Sequence, residues 1–192
     1  AGLLYQYAVD LTPNIRNQDL RLRASAEAAI FHLRVRNDSA AIPLTEYVQG
    51  ALETAVDSDN QCVGHLALAY RWAAAGNAAS FRAEIQHAQR LARSPRRIAE
   101  CAMALSEGLL GFRNPVEALP EAQAALEAYQ KAGDIMGQTE AHALLATCLR
   151  GVGKDGPASL EARKAITLTT STQAAPFLNP ETIYPMTDSL LR

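Results

Sequence analysis

Apolar positions recur along most of this chain at three- and four-residue intervals, which predicts helices and no strand. In "GLLYQYAVDL", Leu3, Leu4, Tyr7, Ala8 and Leu11 share one face, and Pro13 ends the run. A second helix is expected from about Asp19 to Arg36, with Leu22, Ala26, Ala29, Ile30 and Leu33 apolar. A third is expected to start near Pro43, and a fourth to run from about Asn60 to Ala75 before Gly76. Later boundaries carry clearer signals. Asn77 caps a helix to about Arg93, and Ser94-Pro95 and Asn114-Pro115 each place proline at a first helical position. The pattern then predicts a helix ending near Lys131, one starting near Gln138, and one opened by Asp155-Gly156-Pro157 that ends near Leu168.

These helices recur in related pairs. Around Gly153, Leu145 and Ala146 precede the glycine and Ala158, Ala162 and Ala165 follow it. The same frame places Leu68, Ala69 and Trp72 before Gly76, with Phe81, Ile85 and Ala88 after it. A looser copy has Leu105, Ser106 and Leu109 followed by Ala118, Ala122 and Ala125. The implied repeat lengths are about 37 and 40 residues. Small residues at fixed places let paired helices approach closely, while larger ones fill the seam to the next pair.

The stretch "GVGKDG" (151–156) looks at first like a phosphate loop. A Walker loop needs a glycine where Cys148 stands, a Ser or Thr where Asp155 stands, and a preceding strand. Gly153 therefore reads as the turn between two paired helices, where a residue without a Cβ is favoured.

Composition and charge narrow the function. With 192 residues and a net charge of −2, the chain carries no polybasic surface, so direct nucleic-acid binding is not expected. Arg90, Arg93, Arg96 and Arg97 read as a solvated turn. Three widely spaced cysteines make neither a CxxC motif nor a disulfide framework; reduced, buried thiols and a cytoplasmic location are expected. No apolar run is long enough for a membrane span, and no signal peptide is legible. The start at Ala1 reads as a processed terminus or a fragment. His65 and His142 occupy equivalent repeat places, so they are expected to pack at inter-repeat seams rather than share a metal ion. No nucleophile elbow or catalytic triad order appears; no enzyme activity and no cofactor are expected.

The small-residue frame resembles the tetratricopeptide repeat (TPR), over roughly residues 20 to 170. The resemblance implies an all-α, right-handed superhelix of about four helix pairs with one leading helix, spanning 1–170. Residues 171–192 would form an extended proline-containing tail or linker, and Phe177, Leu178, Ile183, Tyr184 and Met186 could pack back on a helical surface. In TPR arrays the first helix of each pair lines a concave groove. Carried onto this frame, its residues are Leu33, Arg36, Leu66, Tyr70, Glu100, Met103, Glu107, Leu110, Thr147 and Arg150. Their expected partner is a protein or peptide segment; the competing reading has Glu100 and Glu107 solvated and Met103 in the core. Leu66 and Tyr70 stand where carboxylate-clamp TPR domains carry Lys and Asn, so that subfamily is not indicated.

Alanine-rich, irregular repeats such as "AAGNAASFRAEIQHAQRLARSPRRIAE" are similar to the sensor arrays of large bacterial STAND- and AAA-type regulators. That similarity implies a non-catalytic regulatory module whose effector lies outside this chain. The alternatives are a stand-alone adaptor and, from another class, a small hydrolase or metal enzyme. The leading helix, if uncovered, would favour self-association.

Overall fold

A computed structural model describes residues 17–171, and the leading helix and the tail expected from the sequence lie outside them. The described chain forms eight α-helices: α1 (Gln18–Arg34), α2 (Asp38–Leu52), α3 (Ser58–Ala74), α4 (Ala78–Leu91), α5 (Pro95–Gly111), α6 (Pro115–Ala132), α7 (Ile135–Gly151) and α8 (Asp155–Ser171). No strand occurs among the described residues. The chain divides between Arg93 and Ser94 into two compact units of four helices each.

Within each unit the helices pack as two hairpins, α1–α2 and α3–α4, then α5–α6 and α7–α8. The first helices of successive hairpins also pack on one another, α1 on α3 and α5 on α7. Each unit has its own core. Unit 1 closes over Leu22, Ala26, Ala29, Val48, Val63 and Ala67; unit 2 closes over Met103, Leu109, Ala118, Ala122, Leu126, Tyr129, Leu144 and Leu145. Alanine at many fully buried positions removes side-chain bulk between helices, so the rods can approach closely.

The units are internal copies. One constant interval separates the helix starts Gln18 and Pro95, Asp38 and Pro115, Ser58 and Ile135, and Ala78 and Asp155. At that offset Arg36, Asn37, Ala41, Pro43, Asp57, His65, Gly76 and Glu84 recur as Arg113, Asn114, Ala118, Pro120, Asp134, His142, Gly153 and Glu161. The offset joins the two unequal repeat lengths into one double-hairpin period.

The turn inside each hairpin is the same motif four times over. The residue before the next N-cap is left-handed: Arg36 (φ 56), Gly76 (φ 72), Arg113 (φ 58) and Gly153 (φ 75). Its N–H reaches the carbonyl three residues back, and the following N–H reaches the carbonyl five back, as in Asn37 to His32 (2.8 Å) and Lys154 to Leu149 (2.8 Å). These paired bonds satisfy carbonyls that the helix end would otherwise orphan. The loop at 151–156 is thus a hairpin turn between two helices.

Several boundaries depart from expectation, among them the start of α7, at Ile135 after the Asp134 cap and not near Gln138. The helix expected to start near Pro43, α2, begins at Asp38 with Pro43 inside it, and Pro120 takes the corresponding place in α6. Proline there costs one ladder bond, a loss the surrounding packing outweighs. Arg36 lies in the turn beyond the end of α1 rather than on the helix.

Candidate functional site

The residues expected to line a groove fall on or just after the first helices of the hairpins, divided between the two units. In unit 1, Leu66 is buried at 3% exposure, Leu33 and Tyr70 are half-buried, and Arg36 is exposed in its turn. In unit 2, Met103 is 3% exposed and belongs to the hydrophobic core, packed with Ala99, Ala102 and their neighbours. Glu107 and Leu110 are half-buried, and Leu110 packs against the core's edge. The Thr147 hydroxyl donates to the Ala143 carbonyl (3.1 Å), and Arg150 is exposed. Leu66 and Met103 therefore hold the fold; the expected groove residues that keep some exposure are Leu33, Arg36 and Tyr70 in unit 1 and, separately, Glu100, Glu107, Leu110, Thr147 and Arg150 in unit 2.

Glu100 is engaged by two arginines of its own helix. Arg97, buried to 7% side-chain exposure, donates through Nη1 to Glu100 Oε2, and Arg96 Nε lies 3.1 Å from Oε1. Arg96 also reaches Asp134, the N-cap of α7, at 3.6 Å, tying the starts of the two first helices together. The expectation of a wholly solvated arginine cluster is corrected at Arg97. Burial of the guanidinium is offset by the adjacent carboxylate one helical turn on.

His65 and His142 do not simply pack at a seam. Each donates from Nδ1 to a glutamate on the second helix of its own hairpin: His65 to Glu84 (2.7 Å) and His142 to Glu161 (2.6 Å). Unit 1 adds His87, stacked on His65 at 5.0 Å between centroids, with Arg90 donating to it. Unit 2 has Lys164 in that place, bonded to Glu161 at 2.7 Å. Burial pushes the Glu161 carboxyl up, but hydrogen bonds from Lys164 and His142 outweigh it and hold the group below its ordinary range. The legible signal was the histidine-to-glutamate spacing, identical in the two pairs and recurring at the interval that relates the two units.

All three cysteines are buried. Burial pushes the Cys148 thiol up, against a contact from Ser106, whose hydroxyl also donates to the Ala118 carbonyl (2.9 Å). A shallow depression between α7 and α8 is lined by Gln138, His142, Leu160, Arg163, Lys164 and Thr167, among others. No group of three His, Cys, Asp or Glu side chains is placed to hold a metal ion among the described residues. Nor is any described helix long and apolar enough to cross a membrane. Comparison of the chain with family models, curated proteins and solved structures returned no match to any of them.

Proposed function

We propose that this chain is a non-catalytic, TPR-like helical-repeat module that captures a protein or peptide segment on the exposed faces of its first helices, as the recognition part of a larger bacterial regulatory protein. The observation that carries this reading is the hairpin turn repeated at Arg36, Gly76, Arg113 and Gly153, with small buried residues on either side. Such a frame stacks helix pairs and leaves one face of each first helix open to a partner. The polar groups that an enzyme would need are instead tied to one another, as in His142–Glu161 and Arg97–Glu100. Partly exposed residues remain on the first helices of each unit: Leu33 and Tyr70 in unit 1, and Glu107, Leu110, Thr147 and the exposed Arg150 in unit 2.

Site-specific photo-crosslinking in the native host tests the reading. A crosslinker at Tyr70 or Thr147 should trap one defined protein. The same group at Gln89 or Arg163, on second helices, should not. Reversing the charges with Glu107→Lys and Arg150→Glu should reduce the adduct at least tenfold without loss of helicity. Equal trapping at the second-helix controls, or none at the first-helix positions, defeats the proposal.

A further inference from the structure

The first hairpin of unit 1 contains a buried histidine where unit 2 has a buried leucine. His32, on the last turn of α1, is 4% exposed; at the equivalent place on α5 stands Leu109, 3% exposed in the core of unit 2. The His32 Nε2 is buried and has no hydrogen-bond partner. Its Nδ1 faces the Asn37 side chain, whose Nδ2 donates to it across 3.4 Å, while Ser39 Oγ donates to Asn37 Oδ1 (3.1 Å). The backbone closes the same turn, since the Asn37 N–H donates to the His32 carbonyl at 2.8 Å.

This arrangement diverts Asn37 from the duty its counterparts perform. Asn77 and Asn114 each cap their helix by accepting a backbone N–H, from Ser80 (3.0 Å) and Glu117 (3.3 Å). The Asn37 side chain makes no cap bond to α2. The unit thus forgoes a side-chain cap and places a neutral imidazole against a donor.

We propose that His32 and Asn37 form an acid-sensitive latch: a neutral imidazole holds the α1–α2 hairpin of unit 1 closed, and protonation opens it while unit 2 stays folded. A proton on Nδ1 would set two donors face to face and bury a charge among apolar side chains. Rotating the Asn37 amide would relieve the first conflict and leave the second.

The charged groups nearest the ring in sequence are Arg34 and Arg36 after it and Asp38 opening α2, and α3, which packs on α1, carries Arg71 in its last turn. Arg34, Arg36 and Asp38 are exposed, and Arg71 lies over the Trp72 ring. None of them accounts for the behaviour of His32; burial lowers its pKa from the ordinary 6.5. Folding therefore favours the neutral ring. Its stabilising contribution is complete above about pH 6.5 and is lost as pH falls through the lowered value.

Hydrogen exchange followed by mass spectrometry on the full chain, from pH 7.5 to 5.0 and corrected for intrinsic rates, tests the latch. Protection across 18–52 should fall by up to about tenfold per pH unit from about pH 6.5 down to the lowered value of His32, while protection across 95–132 holds. His32→Leu, which installs the residue type of unit 2, should flatten that response. Asn37→Asp, which offers an acceptor in place of the donor, should weaken it. His65→Gln, in the other hairpin, should leave it intact. Equal acid sensitivity of the two stretches, or a response that survives His32→Leu, overturns the proposal.

Discussion

The two units share their helix starts and turns, yet they fill their interiors differently. On α4, Phe81 and Ile85 are fully buried; the corresponding α8 residues are Ala158 and Ala162. The first helices shift the other way, with Ala67 on α3 and Leu144 on α7. A second exchange surrounds the residue that ends α2. Leu52 there corresponds to Tyr129 on α6, and the glycine facing it moves by one helical turn. A Cβ on Gly64 would come within 2.8 Å of Leu52 Cδ2, whereas a Cβ on Gly137 would collide with the Tyr129 ring. The residues in the complementary places are Ala141 and Asn60. One backbone frame therefore accepts two distributions of volume, provided that bulk added on one helix is removed from its neighbour.

Making α4 resemble α8 is the harshest way to break this comparison. Phe81→Ala should cost unit 1 about 3–5 kcal/mol, because deleting a fully buried phenyl ring leaves a cavity in a close-packed interior. Denaturant unfolding with a probe in each unit should show the loss in unit 1 and an unshifted transition in unit 2. Gly137→Ala comes next. It should destabilise unit 2 by about 1–3 kcal/mol through overpacking against Tyr129. Adding Tyr129→Leu, the residue of unit 1, should recover most of that loss; no recovery would show that the glycine serves another purpose.

The same exchange explains what the sequence discloses. Periodicity, Asn-Pro and Ser-Pro caps, and the Gly76 and Gly153 turns mark the helices, because those signals are local. The start of α2 was hidden because Pro43 resembles a first helical position while Asn37-Asp38 is the true cap and start. Arg36 and Arg113 gave no turn signal, since arginine rarely adopts a left-handed backbone. The double-hairpin period was obscured by exchanges such as His32 for Leu109 that preserve burial without preserving residue type. For the candidate face, helical spacing put Glu100, Met103, Glu107 and Leu110 on one side. It left Met103 between groove and core, and the core reading is the one that holds; it could not reveal that Arg97 would fold in beside Glu100.

A gentler comparison uses the two histidine–glutamate pairs, which differ in burial and in the neighbour beside them, His87 in unit 1 and Lys164 in unit 2. Side-chain exposure is 9% and 12% for His142 and Glu161, against 22% and 21% for His65 and Glu84. A double-mutant cycle with His→Gln and Glu→Gln should give a coupling of about 1–2 kcal/mol in unit 2 and under about 1 kcal/mol in unit 1. Because Glu161 is held below its ordinary range, its contribution is present above that range and lost as pH falls through the lowered value. Glu161→Gln should therefore remove an acid-dependent part of unit 2 stability, read from urea midpoints between pH 6 and pH 3. Equal couplings in both units would mean that neither burial nor the neighbouring Lys164 sets the strength of the pair.

The smallest effects should arise at the turns, where the two hairpins of each unit solve one backbone problem differently. Gly76 and Gly153 have open space where a Cβ would go, so Gly→Ala tests the left-handed backbone alone. Each should cost about 1 kcal/mol. Arg36→Gly and Arg113→Gly should relieve similar strain, but the unfolded chain gains freedom worth about 0.4–1 kcal/mol, which offsets much of the relief. The expected net change is within about 1 kcal/mol of zero. Urea midpoints for the four variants should therefore separate by sign or size according to native residue, not according to unit. If the arginine substitutions instead cost as much as the glycine ones, the arginine side chains must stabilise these turns beyond the backbone bonds that all four share.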